Sequence, residues 1–229
     1  MVVSAVTFDV YSALFDTVSG LAAAAAAPLS RRGSKEDPRA VARSWRSKHA
    51  ESLLIANALD REPAGNRAAI ERSARFALRL LTPPLDDGEM AALVEAWERL
   101  PPWPETVEVL TAVRARPITV ASLSNGDEVM QRRLLATLPV PFDTIISTEG
   151  GRFKPHPSVY AKTLQVLGVR PEELLHVAGS ATDAMGATAA GITTLWINRT
   201  DEPVLDPRYA PAFQGSDLHS VVRVLESPA

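Results

Sequence analysis

The chain has 229 residues, 46% of them hydrophobic and 22% charged, with a formal net charge of −3 and no cysteine. That length suits one large domain or a core with an insertion, and there is no basic excess for nucleic acid or an anionic membrane surface. Disulfides, thiolate metal sites and cysteine nucleophiles are excluded. No apolar stretch reaches membrane-spanning length and no basic leader precedes the first apolar run, so a soluble cytoplasmic protein is expected.

The run from Val2 to Phe8 is apolar and β-branched and ends on Asp9. Such a run predicts a buried parallel strand. A carboxylate at the C-terminal tip of a first strand stands where open α/β sheets bind their ligands. The plainer account of Asp9 is a turn cap.

Residues 20 to 100 are helical in pattern and rich in Ala, Arg, Glu and Leu. Ala22 to Ala27 is a strong helix-forming run. Pro38 to Leu59 carries Val41, Trp45, His49, Leu53 and Leu54 at helical spacing, and Ile70 to Leu81 repeats the pattern. Asp86-Asp87-Gly88-Glu89 reads as a helix start for Met90 to Leu100. No strand signal interrupts the block, which predicts a four-helix insertion.

Pro101-Pro102-Trp103-Pro104 punctuates its end, and helix and strand then alternate. Glu105–Arg114, Val129–Leu138, Pro157–Leu167, Ala181–Ala190 and Leu218–Leu225 are expected helices, and Gly191 closes the fourth. Ile118–Leu123, Thr144–Ser147, Leu174–Ala178 and Ile192–Ile197 are expected strands. The alternation predicts a doubly wound, Rossmann-like α/β core with a parallel sheet. The expected division is a core over residues 1–18 and 101–229 and a helical cap over 19–100, covering the strand ends.

Polar residues recur just after the strands: Asp9 and Tyr11, Ser124 and Asn125, Ser180 and Asp183, with Lys154 in the loop Gly150 to Pro155. In a parallel sheet these loops open on one edge, so residues distant in sequence converge. Singly, Ser124-Asn125-Gly126 is a plain turn, Lys154 a solvated lysine and Asp183 a helix cap. The histidines His49, His156, His176 and His219 show no pairing that suggests a catalytic or metal role.

Phe8-Asp9-Val10-Tyr11, Leu123-Ser124-Asn125-Gly126, Lys154-Pro155 with Val159-Tyr160, and Trp196-Ile197-Asn198-Arg199-Thr200 resemble the haloacid dehalogenase superfamily, in its L-2-haloacid dehalogenase (type II) branch. The resemblance covers nearly the whole chain in order. It implies a hydrolase in which Asp9 displaces halide from a small 2-haloalkanoic acid and forms an ester that water then hydrolyses. A free aspartate, with pKa about 3.9, needs no base to become a nucleophile at neutral pH. By the same resemblance Lys154 orients Asp9, Asp183 supports the hydrolytic water, and Arg46 from the cap suits a halide or a carboxylate. Val10 and Tyr11 through their amides, Ser124, Asn125, Tyr160 and Ser180 would contact the substrate.

Superfamily phosphatases usually carry a second aspartate two residues after the nucleophile, to protonate an alkoxide leaving group. Here that residue is Tyr11, which suits halide, a leaving group that needs no proton. Ala13 departs from a family threonine, and Ala178 and Ser180 from a serine and an asparagine. The expected activity uses no cofactor and no metal. The partner is a small anionic substrate, without nucleic acid or membrane, and the apolar cap helices allow a homodimer. The alternatives are an Mg2+-dependent phosphatase, with Asp9 and Asp183 as hard oxygen ligands, and a non-catalytic relative that binds a small anion.

Overall fold

The computed structural model describes residues 3–59 and 65–226. Val2, at the head of the expected first strand, lies outside them, as do the outermost C-terminal residues of the expected core. The strands are β1 (Ala5–Phe8), β2 (Thr119–Ser124), β3 (Thr144–Ser147), β4 (Leu174–Ala178), β5 (Thr193–Ile197) and β6 (Phe213–Gly215). Among the described residues they form one parallel sheet in the order β3-β2-β1-β4-β5-β6.

Alternation along the strands separates two apolar layers. Val6, Phe8, Val120, Leu175 and Val177 pack on one face, with Val109, Leu110 and Val113 of α5 (Thr106–Arg114) and Val221 of α9 (His219–Glu226). Ala5, Ala121, Leu123 and Leu174 pack on the other, with Val159 and Tyr160 of α7 (Pro157–Leu167) and Ala187 of α8 (Ala181–Ala189). Helices on both faces, with α6 (Glu128–Leu135) following β2, make the doubly wound α/β core expected from the alternating pattern. Gly191, at φ +78°, takes the left-handed conformation that ends the α8 region.

Four helices follow the first strand: α1 (Thr17–Arg31), α2 (Pro38–Ala58), α3 (Asn66–Ala77) and α4 (Asp87–Glu95). Trp45, Trp97, Leu21 and Ile70 are fully buried among them. Phe15, before the first of these helices, bridges Pro102, after the last, antiparallel. Asp86 and Glu89 form a full capping box at the start of α4, as their spacing predicts.

The segment after Asp9 is a short π-helix over Val10–Leu14, capped by the Asp9 side chain. Two local expectations are corrected. The helix expected over 70–81 runs from Asn66 to Ala77. Its N-terminal amides, on Asn66 and Arg67, donate to Asp127, a cap lent by a residue about 60 positions away. β6 was not expected: it is three residues long and pairs on one side only, too short for a period-2 signal.

Candidate active site

Parallel register brings three strand tips together. Phe8 pairs with Ser122 of β2 and Val177 of β4, and the Asp9 amide donates to the Val177 carbonyl at 2.9 Å. Asp9 therefore leaves the sheet between Ser124 and the Gly179-Ser180 turn. Gly179 is required there, because a Cβ would stand 2.3 Å from the Ala13 nitrogen and 2.4 Å from the Ser12 carbonyl carbon.

The Asp9 carboxylate is held on both oxygens. Oδ1 accepts from Lys154 Nζ at 2.9 Å and Ser124 Oγ at 3.4 Å, and Oδ2 accepts from the Ser12 amide at 3.1 Å. Lys154 Nζ spends its other two hydrogens on Asp183 Oδ2 at 2.7 Å and the Leu123 carbonyl at 2.9 Å. Asp183 Oδ1 accepts from the Tyr160 hydroxyl at 2.9 Å, and Oδ2 also faces His176 Nε2 at 3.1 Å. His176 Nδ1 closes the chain on Thr7 Oγ1 of β1 at 2.9 Å.

These groups are buried, so their charges depend on one another. Burial by itself would raise the pKa of Asp183, but the Lys154 charge and the hydrogen bonds with His176 and Lys154 outweigh it and hold the carboxyl well below the usual range. Burial would likewise strip the proton from Lys154, and Asp183 and Asp9 overcome it, so that its pKa is raised. Burial, with Asp127 and Glu98 nearby, drives the Tyr11 phenol upward, so it holds its proton firmly.

A cavity of about 670 Å³ opens above Asp9, between the strand tips and α2. Arg46 of α2 faces it, donating to Ser12 Oγ at 3.1 Å and lying beside His49 Nδ1 at 3.3 Å. Its pKa is lowered by burial, opposed by the nearby charge of Asp9. Two asparagines grip the lysine loop by its backbone. Asn125 accepts from the Lys154 amide at 2.7 Å and donates to its carbonyl at 3.3 Å. Asn57 of α2 does the same to Phe153, at 3.0 and 2.7 Å.

The expected residues Asp9, Tyr11, Arg46, Ser124, Asn125, Lys154, Ser180 and Asp183 all line the cavity. Val10 and Tyr160 do not. Val10 packs into the core, leaving only its backbone to serve the site. Tyr160 sits behind Asp183 and orients it rather than touching the space. Ser180 caps α8 by accepting from the Asp183 amide at 3.3 Å.

Two of the histidines, His49 and His176, are buried beside the site. His176 bonds Asp183 and His49 backs Arg46. The apolar pattern around His176 hid it as a strand residue. His49 stood three residues after Arg46, a helical neighbour spacing that could have found it. Among the described residues no group of three or more His, Asp or Glu has the arrangement of a metal site.

A parallel sheet whose first strand ends in a buried carboxylate bridged by lysine to a second carboxylate, under inserted helices, defines a class of Rossmann-like hydrolases. The chain belongs to the haloacid dehalogenase-like hydrolase family, whose model matches residues 3–191. Within it the chain is similar to the (S)-2-haloacid dehalogenase of Pseudomonas sp. (strain YL), 30% identical over 233 residues, covering 99% of this chain and 96% of the relative. It is 28% identical to haloacetate dehalogenase H-2 of Moraxella sp. (strain B), over 97% of this chain and 98% of that one. The structure of L-2-haloacid dehalogenase from Xanthobacter autotrophicus with chloropropionic acid covalently bound matches it with a TM-score of 0.85 and 26% identity, covering 99% of this chain and 100% of that chain.

Proposed function

We propose that this protein is a 2-haloacid dehalogenase that converts a small (S)-2-haloalkanoic acid to the 2-hydroxy acid through an ester on Asp9. The observation that carries this reading is the Asp9 carboxylate on the cavity floor. It is fixed by Lys154, Ser124 and the Ser12 amide and faces the same space as the Arg46 guanidinium. The names of the relatives, and the covalently bound chloropropionic acid in the Xanthobacter enzyme, support it.

An Asp9 oxygen attacks the carbon bearing the halogen from the side opposite the leaving group. The carbon–oxygen bond forms as the carbon–halogen bond breaks, and the halide departs with the electron pair toward Arg46. Fixing both carboxylate oxygens before reaction supplies orientation, one part of the rate gain. Water then attacks the aspartyl carbonyl, releasing the hydroxy acid, a proton and the free carboxylate. Asp183 Oδ1 has acceptor capacity beyond its bond from Tyr160 and would orient that water. With its proton affinity held so low, Asp183 acts as an orienting group rather than a strong base.

The halide reading is favoured over the phosphatase one because a phosphate ester needs an acid for its leaving alkoxide, and Tyr11 is the residue in that place. A buried phenol with its pKa pushed up is a poor proton donor. We also divide the chain into a core over 1–18 and 101–229 and a cap over 19–100, a division supported by the bridge between Phe15 and Pro102.

The test is a single turnover of 2-chloropropionate in heavy-oxygen water with enzyme in excess. Ordinary oxygen in the product, and no chloride release by Asp9→Asn, are expected. Heavy oxygen in the first product, or full activity of that variant, would discard the ester.

A further inference from the structure

The cavity above Asp9 encloses about 670 Å³, within the ~300–1,000 Å³ range of pockets that hold drug-sized ligands. A three-carbon haloacid has the bulk of only a few water molecules, each about 30 Å³. Most of the space lies beyond such a substrate. The turn between β4 and α8, with the first residues of α8, leaves that room, because this wall is built from Gly179, Ser180, Ala181 and Thr182.

Basic side chains of the outer space gather on one wall. Arg39, Arg43 and Arg46 stand at i, i+4 and i+7 on α2, so they share one face of the helix, and all three line the cavity. A rise of ~1.5 Å per residue places Arg43 about 4–5 Å and Arg39 about 10 Å from Arg46 along the axis. Arg46 donates to Ser12 and faces His49 with the Asp9 charge nearby, and Arg39 donates at 3.1 Å to the Ser19 hydroxyl, which itself bonds Asp16. Arg43 has Asp37 at 3.7 Å, with both side chains well exposed, a pairing that contributes little.

Most other charges on the wall are already matched. Lys154 lies between Asp9 and Asp183, and Arg199 is paired with Glu105 at 2.5 Å. Asp16 accepts from the Ser19 amide at 3.0 Å and the Ser19 hydroxyl at 2.5 Å. Asp16 and Glu202, the latter bonded to the Thr200 hydroxyl at 2.9 Å, are the acids of the wall with no cation bonded to them among the described residues. Arg39 and Arg43 make no ion pair shorter than 3.7 Å among the described residues, and both stand next to unused volume.

We propose that the preferred substrate is a 2-halo dicarboxylic acid with a chain of about five or six carbons, the length that the α2 arginine spacing spans. Arg46 serves the reacting end, and Arg43 and Arg39 hold the remote carboxylate. The inference rests on the dehalogenase reading and uses the same displacement, so the products are halide, a proton and a 2-hydroxy diacid.

Chloride release is measured from 2-chloropropionate, 2-chlorohexanoate and 2-chloroadipate, with wild type and with the Arg39→Gln/Arg43→Gln double variant. The hexanoate matches the adipate in carbon number but lacks the second charge. The expected kcat/KM for the diacid exceeds that for the hexanoate at least tenfold, and the double variant brings the ratio near one. A wild-type ratio near one, or a ratio the double variant does not move, overturns the proposal. Chloride from 2-chloropropionate without a diacid preference sinks this inference alone. If none of the three releases chloride, the dehalogenase reading fails, and binding of unhalogenated adipate decides on the subsite. Thermal protection by adipate, greater than by hexanoate and lost in the double variant, supports the subsite, and equal or absent protection overturns it.

Discussion

His49 Nδ1 lies 3.3 Å from a terminal nitrogen of Arg46. A guanidinium only donates, so Nδ1 accepts and the ring hydrogen sits on Nε2, pointing at Asn66 Oδ1 2.8 Å away. The histidine is thus neutral by construction. Burial, and then the Arg46 charge, push its pKa down to about 3, against a weaker pull from Asn66.

A pH dependence of stability follows. Between about pH 3 and 6.5 the unfolded chain protonates this histidine and the folded chain does not. Unfolding takes up a proton there, so stability falls as the pH drops below about 6.5, by at most ~1.4 kcal/mol per pH unit from this group. His49→Gln removes the titration. Thermal or urea unfolding at pH 5 and pH 7 should show a flatter slope in the variant than in wild type, and an unchanged slope would contradict the neutral assignment.

Lys154 is the only cation bonded to the Asp9 carboxylate among the described residues, and it bonds Asp183 as well. Lys154→Met leaves two buried carboxylates without it. Unpairing such charges costs about 3–5 kcal/mol, which urea unfolding at pH 7 would read. In the variant one carboxyl gains a raised pKa and takes up a proton on folding. Its deficit against wild type should therefore shrink as the pH falls from 7 toward 4. Halide release should be lost throughout.

Gly179→Ala adds a Cβ that meets backbone rather than flexible side chain, at 2.3 Å from the Ala13 nitrogen. The π-helical turn must move, and the Ser12 amide moves with it away from Asp9 Oδ2. Overpacking of this kind costs about 1–3 kcal/mol. A misplacement of about 1 Å at the nucleophile lowers rate about 100-fold. Melting temperature and kcat measured together check both, and wild-type kcat in the variant would show the turn to be irrelevant to the chemistry.

Asn57 clamps Phe153 from α2, one residue before the clamp that Asn125 places on Lys154. Asn57→Ala should cost about 1–3 kcal/mol for the lost amide pair and the polar groups left behind. Since Asn125 still holds Lys154, activity should fall only several-fold. Denaturant midpoints and steady-state halide release distinguish this from a catalytic role, which would reduce activity far more than stability.

Much of the fold could be read locally. The strands over 144–147 and 174–178 and the helix over 157–167 lie at the positions their periodicity predicts, because alternation and helical spacing are properties of neighbouring residues. The strand-tip polar groups were also legible, since a parallel sheet sends every such loop to one edge. Which tip residue meets which was not. Thr7 and His176 are 169 positions apart, and Lys154 reaches Asp9 across 145. Their meeting depends on register between strands, and on a proline-bounded loop held by two asparagines. The extended start of α3 depends on Asp127, and the retreat of Tyr160 behind Asp183 on the packing of α7 against α8. The sequence by itself determined most of the elements and the nucleophile candidate, because local periodicity and strand polarity suffice for those. Only the tertiary structure decided the protonation of His49, the partners of Asp183 and the run of arginines facing empty space, because burial and charge pairing arise when distant segments exclude water together.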